Sequence, residues 1–379
     1  MIPAPLARLT PCRSFAHLWG LRPQTPSARL AFVVTTLLVL GASAWPAAAQ
    51  VYPERIPSAF RAQQRDRDRE RANREQQQRS EQVDRTTRTL RIGANGELDL
   101  NNISGDIVLT RGSGQEATIE IVKTARGQTP DDAKELLGLV QVDVVERGNR
   151  AEVRTRYPSG DEMRTRNRRN FSVSVNFNVT APVGARVTAR SISGNVSARD
   201  LRGEIALEST SGNVIIANGG RVASAKTISG NVEVSGTEID GGLEASSVSG
   251  TVTVRKTKAR RMTLSTVSGN LALEDVDCGR VELQAVSGDV QLAGPLSAGG
   301  RYDFSSHSGN VRIIVNGDTG FELDANSFSG SIRSDLPLTG SVGGDDRGRR
   351  QRAVRGVYGN GSAVLHLTTF SGNIVIEKR

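Results

Sequence analysis

A tripeptide, Ser-Gly-Asn or a close variant, recurs nine times between Ser193 and Ser371, and no other feature constrains the fold as strongly. The serines are Ser193, Ser211, Ser229, Ser249, Ser268, Ser287, Ser308, Ser329 and Ser371, spaced 18, 18, 20, 19, 19, 21, 21 and 42 residues apart. The last spacing is twice the one before it. A near-constant period of roughly 20 residues is the signature of a solenoid, in which each copy is one structural rung.

Alignment on the serine gives the rung its geometry. Six residues before it stand Val187, Ile205, Ala223, Leu243, Met262, Val281, Tyr302, Leu323 and Leu365, and four before it the column is again apolar. Three before it no residue is apolar; three after it stand only Val, Leu or Ile. Five after it Ser334 is the one polar member. Alternation of this kind describes two short strands flanking the Ser-Gly turn, each pointing every second residue inward. Neither strand can bury its face alone, so copies stack at about 4.8 Å per rung. Copies related by translation pair in parallel. The expected fold is all-β, a parallel β-helix or β-solenoid.

The turn reads as structure. Glycine reaches backbone conformations closed to other residues, and the Asn or Asp after it would stack into a ladder of side-chain amides bonded between rungs. Serine or threonine two residues before the aligned serine fills eight of nine copies, which suits a small inward residue beside a bend. A calcium-binding turn is the alternative, but that repeat needs G-G-x-G-x-D, and here half the glycines are missing and most acidic positions are Asn.

The run SISGNV, STSGNVII, TISGNVEV, TVSGNLAL and AVSGDVQL, closed by TTFSGNIVIE, resembles the DUF4097 family of adhesin-like bacterial β-strand repeat proteins. The segments GELDLNNISGDIVL and SVNFNVTAPVGARVTARSISGNV are similar to that family's start, so the resemblance covers roughly residues 88–379. It implies an exported or envelope-associated protein and transfers no catalytic residues.

Upstream of the repeats the chain divides further. Residues 1–29 carry four arginines and no acid, Leu30–Leu40 is apolar and uncharged, and Ala47-Ala48-Ala49 is a small-residue cleavage site. That order is an export leader cut before Gln50; a retained anchor is the alternative, although the apolar run is short against the roughly 20 residues that span a bilayer. No Cys follows for lipid attachment. Residues 50–87 are expected to be a disordered charged linker, with ten Arg against seven acids over 54–88. The folded domain is then 88–379, divided into an N-terminal rung and excursion (88–180) and the regular repeats (181–379). Within the excursion, 118–122, 140–145, 151–156 and 172–179 alternate as strands, and Arg147-Gly148-Asn149 reads as a hairpin turn. Thr129, Pro130, Asp131 and Asp132 open one short helix ending near Gly138.

Charge first invites a nucleic-acid reading, since the chain carries +9. Four of those charges belong to the leader and three to residues 54–88, which leaves +2 on the solenoid. No nucleic-acid partner is expected. Two arginine clusters remain, Arg154, Arg156, Arg164, Arg166, Arg168 and Arg169, and Arg347, Arg349, Arg350, Arg352 and Arg355. They are the candidate contacts for anionic lipid or envelope polymer, the alternative being solvated loops.

Little else carries chemistry. His307 and His366 lack metal-ligand spacing, and Cys278, placed in the inter-rung turn Asp277-Cys278-Gly279, reads as a small packed residue rather than a reactive thiol. Outward acids such as Asp303 and Asp324, or Glu244 and Glu282, alternate with Ser, Thr and Arg, and no Trp follows residue 49. The expected protein is therefore a non-enzymatic, cofactor-free interaction module of the periplasm, cell surface or exterior. A polysaccharide-active enzyme is one alternative. A self-associating scaffold is the other, templated by an uncovered edge at Ile374–Ile376 before Glu377-Lys378-Arg379.

Overall fold

A computed structural model describes residues 80–158, 172–340 and 352–378, all within the compact unit Arg67–Arg379. Among these residues the chain is a β-solenoid of two thirteen-stranded sheets with one helix. Each rung contributes a longer strand leading into the Ser-Gly turn and a shorter one trailing it. Leading strands such as Glu204–Ser211 and Arg221–Ser229 pair in parallel in one sheet, and trailing strands such as Val214–Ala217 and Val232–Ser235 pair in the other.

The inward columns are those the alternation anticipates. Val187, Ile205, Met262, Val281 and Tyr302 are fully buried, as are Val196, Val214, Val232, Val252 and Leu271 beyond the turn. Each such aliphatic contributes about 1.5–3 kcal/mol. Ala223 is a correction: a bulge after Ile205 pairs it with Val222, which takes the core position and leaves Ala223 exposed. Bulky aromatics fill the ends of the stack, with Tyr302 edge-on to Phe304 at 6.4 Å.

Three devices lock rung to rung at the turn. The glycines Gly212, Gly230, Gly250 and Gly269 have φ between +149° and +156°. A Cβ on any of them would also lie 2.0–2.2 Å from the carbonyl oxygen of the glycine one rung below. Beside them the buried hydroxyls donate to those same carbonyls, Ser209 to Gly194 at 2.9 Å, Thr227 to Gly212 at 2.8 Å and Ser247 to Gly230 at 2.9 Å. The third device is the Asn ladder, in which side-chain bonds between rungs, Asn310 Nδ2 to Asp289 at 3.1 Å and Asn373 Nδ2 to Asn310 at 3.4 Å, accompany a second set from the backbone. Each side-chain oxygen accepts the backbone N–H of the next rung, Asn195 from Asn213 at 2.9 Å and Asn213 from Asn231 at 2.8 Å. Only an oxygen is needed, so Asp289 serves equally well, accepting Asn310 N–H at 2.8 Å.

Rung order departs from chain order at the C-terminal end. Ala363–Ser371 inserts between Arg301–Ser308 and Phe321–Ser327, and Ile374–Lys378 between Val311–Val315 and Ile332–Ser334. The edge expected at Ile374–Ile376 is therefore interior. Ala353–Tyr358 runs antiparallel along the outer side of Phe321–Ser327 and covers it, and the trailing sheet ends on the three-residue strand Ile332–Ser334. Short edges resist templated growth.

The N-terminal end is closed in the same way. Ser80–Leu90 and Ala117–Gly127 pair antiparallel beyond Val173–Pro182, and Gln141–Arg147 forms a hairpin with Arg150–Arg156 through Gly148 at φ +60°. Residues 80–87, expected in the linker, thus belong to an edge strand. In this register Thr86 pairs with Ile121 and Gln82 with Ala125, while Val83 faces Thr124. The helix Pro130–Leu139 is capped as anticipated, Asp132 N–H donating to the Thr129 hydroxyl at 3.1 Å.

Tyr157 joins the excursion to the first rung. Its hydroxyl donates towards the Val173 carbonyl at 3.1 Å, and burial pushes its phenol up from 10.0 to about 12. The neutral phenol is the form the fold favours. Its stabilisation is present below pH 10 and is lost as pH rises through about 12. Urea midpoints should therefore fall over that interval, and fall less in Tyr157→Phe.

Candidate groove along the leading sheet

A residue that points inward is followed by one that points outward, so the position just before each aligned serine faces solvent. Ordinarily it would be polar. Here, in spatial order, the column reads Phe328, Phe370, His307, Val286, Val267, Val248, Ile228, Thr210, Ile192 and Ile103. Val267, Val286 and Ile228 are about half exposed and Phe328 is 66% exposed. Folding does not need these side chains in water. A contiguous apolar surface of this kind marks an interaction site.

The column forms one wall of a long groove. The opposite wall is the polar column two residues earlier, including Ser246, Ser265, Gln284, Ser305 and Thr368. Between them lies a floor of the small buried residues Ser247, Thr266, Ala285, Ser306, Ser327 and Thr369. Two recesses of about 1030 and 710 Å³ meet at Ser246 and Val248 and continue one another along the stack. At one end Phe328, Phe370 and His307 lie ring on ring, at 4.7 and 4.9 Å with interplanar angles of 9° and 7°. His307 is thus a member of the apolar column.

The arginines anticipated as contacts divide. Arg164, Arg166, Arg168, Arg169, Arg347, Arg349 and Arg350 lie outside the described residues. Arg352 lines the wider recess beside Phe328. Arg355 instead pairs with Asp324 at 3.2 Å. Arg154, at the far end, lines the narrower recess and pairs with Glu152.

The outward carboxylates that the sequence singles out have neighbouring partners. Glu244 pairs with Lys226 at 2.7 Å, Glu282 accepts from Gln284 at 2.7 Å, and Asp303 pairs with Arg301 at 3.0 Å. Asp303 and Asp324 are not on adjacent rungs, because the strand bearing His366 stands between them. Exposed pairs of this kind contribute at most about 1 kcal/mol each. Among the described residues no group of three His, Cys, Asp or Glu side chains could hold a metal ion.

Cys278 sits within the strand Asp277–Ser287 rather than in a turn, with its side chain in the core. Its thiol donates to the Arg280 carbonyl at 3.0 Å, and burial pushes it up. Among the described residues no helix is long and apolar enough to cross a membrane.

The spacing marks every inward column and places His307 in a column otherwise of Ile, Thr, Val and Phe, without assigning that column a role. Its signal was present: two apolar-compatible positions in succession, at Thr266-Val267 or Thr227-Ile228, break the period of two.

The family model described as Toastrack DUF4097 matches residues 94–259 and 249–377. No curated protein matches the chain. Among solved structures, a "putative lipid binding protein" from Parabacteroides distasonis aligns at 14% identity and TM-score 0.40, covering 78% of this chain and 97% of its own. A "putative adhesin" from Bacteroides fragilis aligns at 14% identity and TM-score 0.35, with the same coverage. A "putative cell adhesion protein" from Clostridium sporogenes aligns at 9% and 0.22, covering 79% of this chain and all of its own.

Proposed function

Given that the chain belongs to the Toastrack DUF4097 family, we propose that it is an exported, non-enzymatic interaction module of the cell envelope. The rigid stack holds the groove of the leading sheet open to a partner. Residues 1–49 act as the leader, and the domain works outside the cytoplasm. The observation that carries this reading is the outward column from Phe328 to Ile103, apolar at eight of ten positions and solvent-facing throughout the stack. The partnering of Glu244, Glu282, Asp303 and Asp324 is consistent with a surface that binds rather than one that transforms, since hydrolysis of a glycosidic bond needs a free acid and a free base facing one substrate.

Capture from cell-envelope fractions tests the reading. Immobilised protein should retain an envelope component, and Val248→Asp with Val286→Asp should abolish retention without changing the far-UV circular dichroism. Retention that is indifferent to these substitutions, but lost when the arginines of 345–355 are replaced, would move the site to that cluster.

A further inference from the structure

We infer that the groove seats a single anionic amphiphile, a long-chain acyl carboxylate lying along the apolar column with its head group at Arg352. The inference rests on the reading of the groove as the binding surface and deepens it by naming the occupant.

The floor comes first. Its hydroxyls are already committed to the backbone beneath them, Ser247 to Gly230 at 2.9 Å, Ser327 to Gly372 at 2.9 Å and Thr369 to Gly309 at 3.2 Å. An occupant covering them strips no donor of a partner, so the floor behaves towards a ligand as hydrocarbon. Ala285 at its centre is hydrocarbon outright.

Charge then fixes the polarity of the occupant. No carboxylate lines the wider recess, and its one formal charge is Arg352. Arg352 makes no ion pair among the described residues, whereas Arg190 and Lys226 in the narrower recess are neutralised by Glu208 and Glu244. A chain that is apolar over its length and anionic at one end matches this distribution. From Phe328 to Val248 the column crosses five inter-rung steps, roughly 24 Å, a length that an extended long-chain acyl group fills.

Two other occupants fit less well. A second copy would meet a stripe one side chain wide; even at 10 Å across, its full run of about 43 Å offers roughly 430 Å². That is about half of the ~800 Å² per partner that a stable interface buries. A glycan would need open ring faces, but Phe370 has its two faces against Phe328 and His307. What Phe370 and the Val286 and Val267 methyls present is edge and branch, which suits a polymethylene chain.

Equilibrium dialysis of the full chain against palmitate and against hexadecanol, both below aggregation, tests the assignment. Palmitate should bind saturably, one per chain. Val267→Asp should weaken it by about tenfold or more, the scale of burying an unpaired charge beside the chain. Arg352→Ala should weaken palmitate by about fivefold and leave hexadecanol unchanged. Should Val267→Asp fail to fold, Val286→Asp, at an equally exposed position, makes the same test. Absence of saturable palmitate binding, equal binding by the variants, or association only with phosphatidylglycerol vesicles would overturn the inference, the last by substituting a membrane surface for a single chain. Envelope capture without palmitate binding sinks this inference alone; loss of both sinks the binding-module reading beneath it.

Discussion

Gly269→Val is expected to abolish the cooperative fold. The residue sits at φ +155°, and its added Cβ would lie 2.1 Å from the Gly250 carbonyl oxygen and 2.6 Å from the carbonyl carbon. Backbone on both sides of the contact cannot yield as a flexible side chain would. Backbone strain and overpacking each cost about 1–3 kcal/mol, so together roughly 2–6 kcal/mol is lost. The top of that range exceeds the low end of a typical domain's stability, about 5–15 kcal/mol. Gly241 supplies the control, since a Cβ there meets nothing within 4 Å. Gly241→Ala should shift the urea midpoint little, while Gly269→Val should show no native baseline. Matching midpoints would mean that the turn does not depend on its glycine.

Truncation gives the second large effect, and its direction is unusual. Ending the chain at residue 340 removes Ala363–Ser371 and Ile374–Lys378, which lie inside the stack. The outer rung Phe321–Ser334 then has no strand to pair with across the gap. Ala363, Leu365, Leu367, Ile374 and Ile376, all fully buried, are lost with them. Their gross burial is on the order of 10 kcal/mol as an upper estimate. Ending the chain earlier, at residue 316, removes the outer rung as well and leaves Arg301–Val315 as a continuous terminal rung. The shorter chain should keep a cooperative thermal transition and the longer one should not. Equal behaviour of the two, by circular dichroism melts and soluble yield, would contradict the inserted order.

Both expectations turn on the same distinction. Val196, Val214 and Val232 could be assigned to the core from their spacing because a strand's side-chain alternation is local and exact in period. The glycines could be assigned to the turn for the same reason, although their close approach to one another belongs to the stacked state alone. Thr129 and Pro130 announced the helix because capping is satisfied within four residues. By contrast Ala223 was misplaced by one position, since a bulge is set by what the neighbouring strand presents. Cys278 reads as a turn residue because Asp277 and Gly279 flank it, yet all three open the strand Asp277–Ser287.

The rung is legible in the chain: two strands, a glycine corner, an inward aliphatic column on either side and a polar hydroxyl beside the bend. Which rung lies against which emerges in the stack alone, as does the continuous apolar wall of the column preceding the serine, with Arg352 at its end. The physical reason is that parallel stacking through Ser-Gly-Asn turns is specific in register but not in partner. Most rungs offer the same carbonyls, hydroxyls and ladder oxygens, so the turn of Ser371 seats against that of Ser308 although the two rungs are not successive in the chain. The choice falls to the antiparallel strand Ala353–Tyr358, which covers Phe321–Ser327 from outside and sends the chain back inside it.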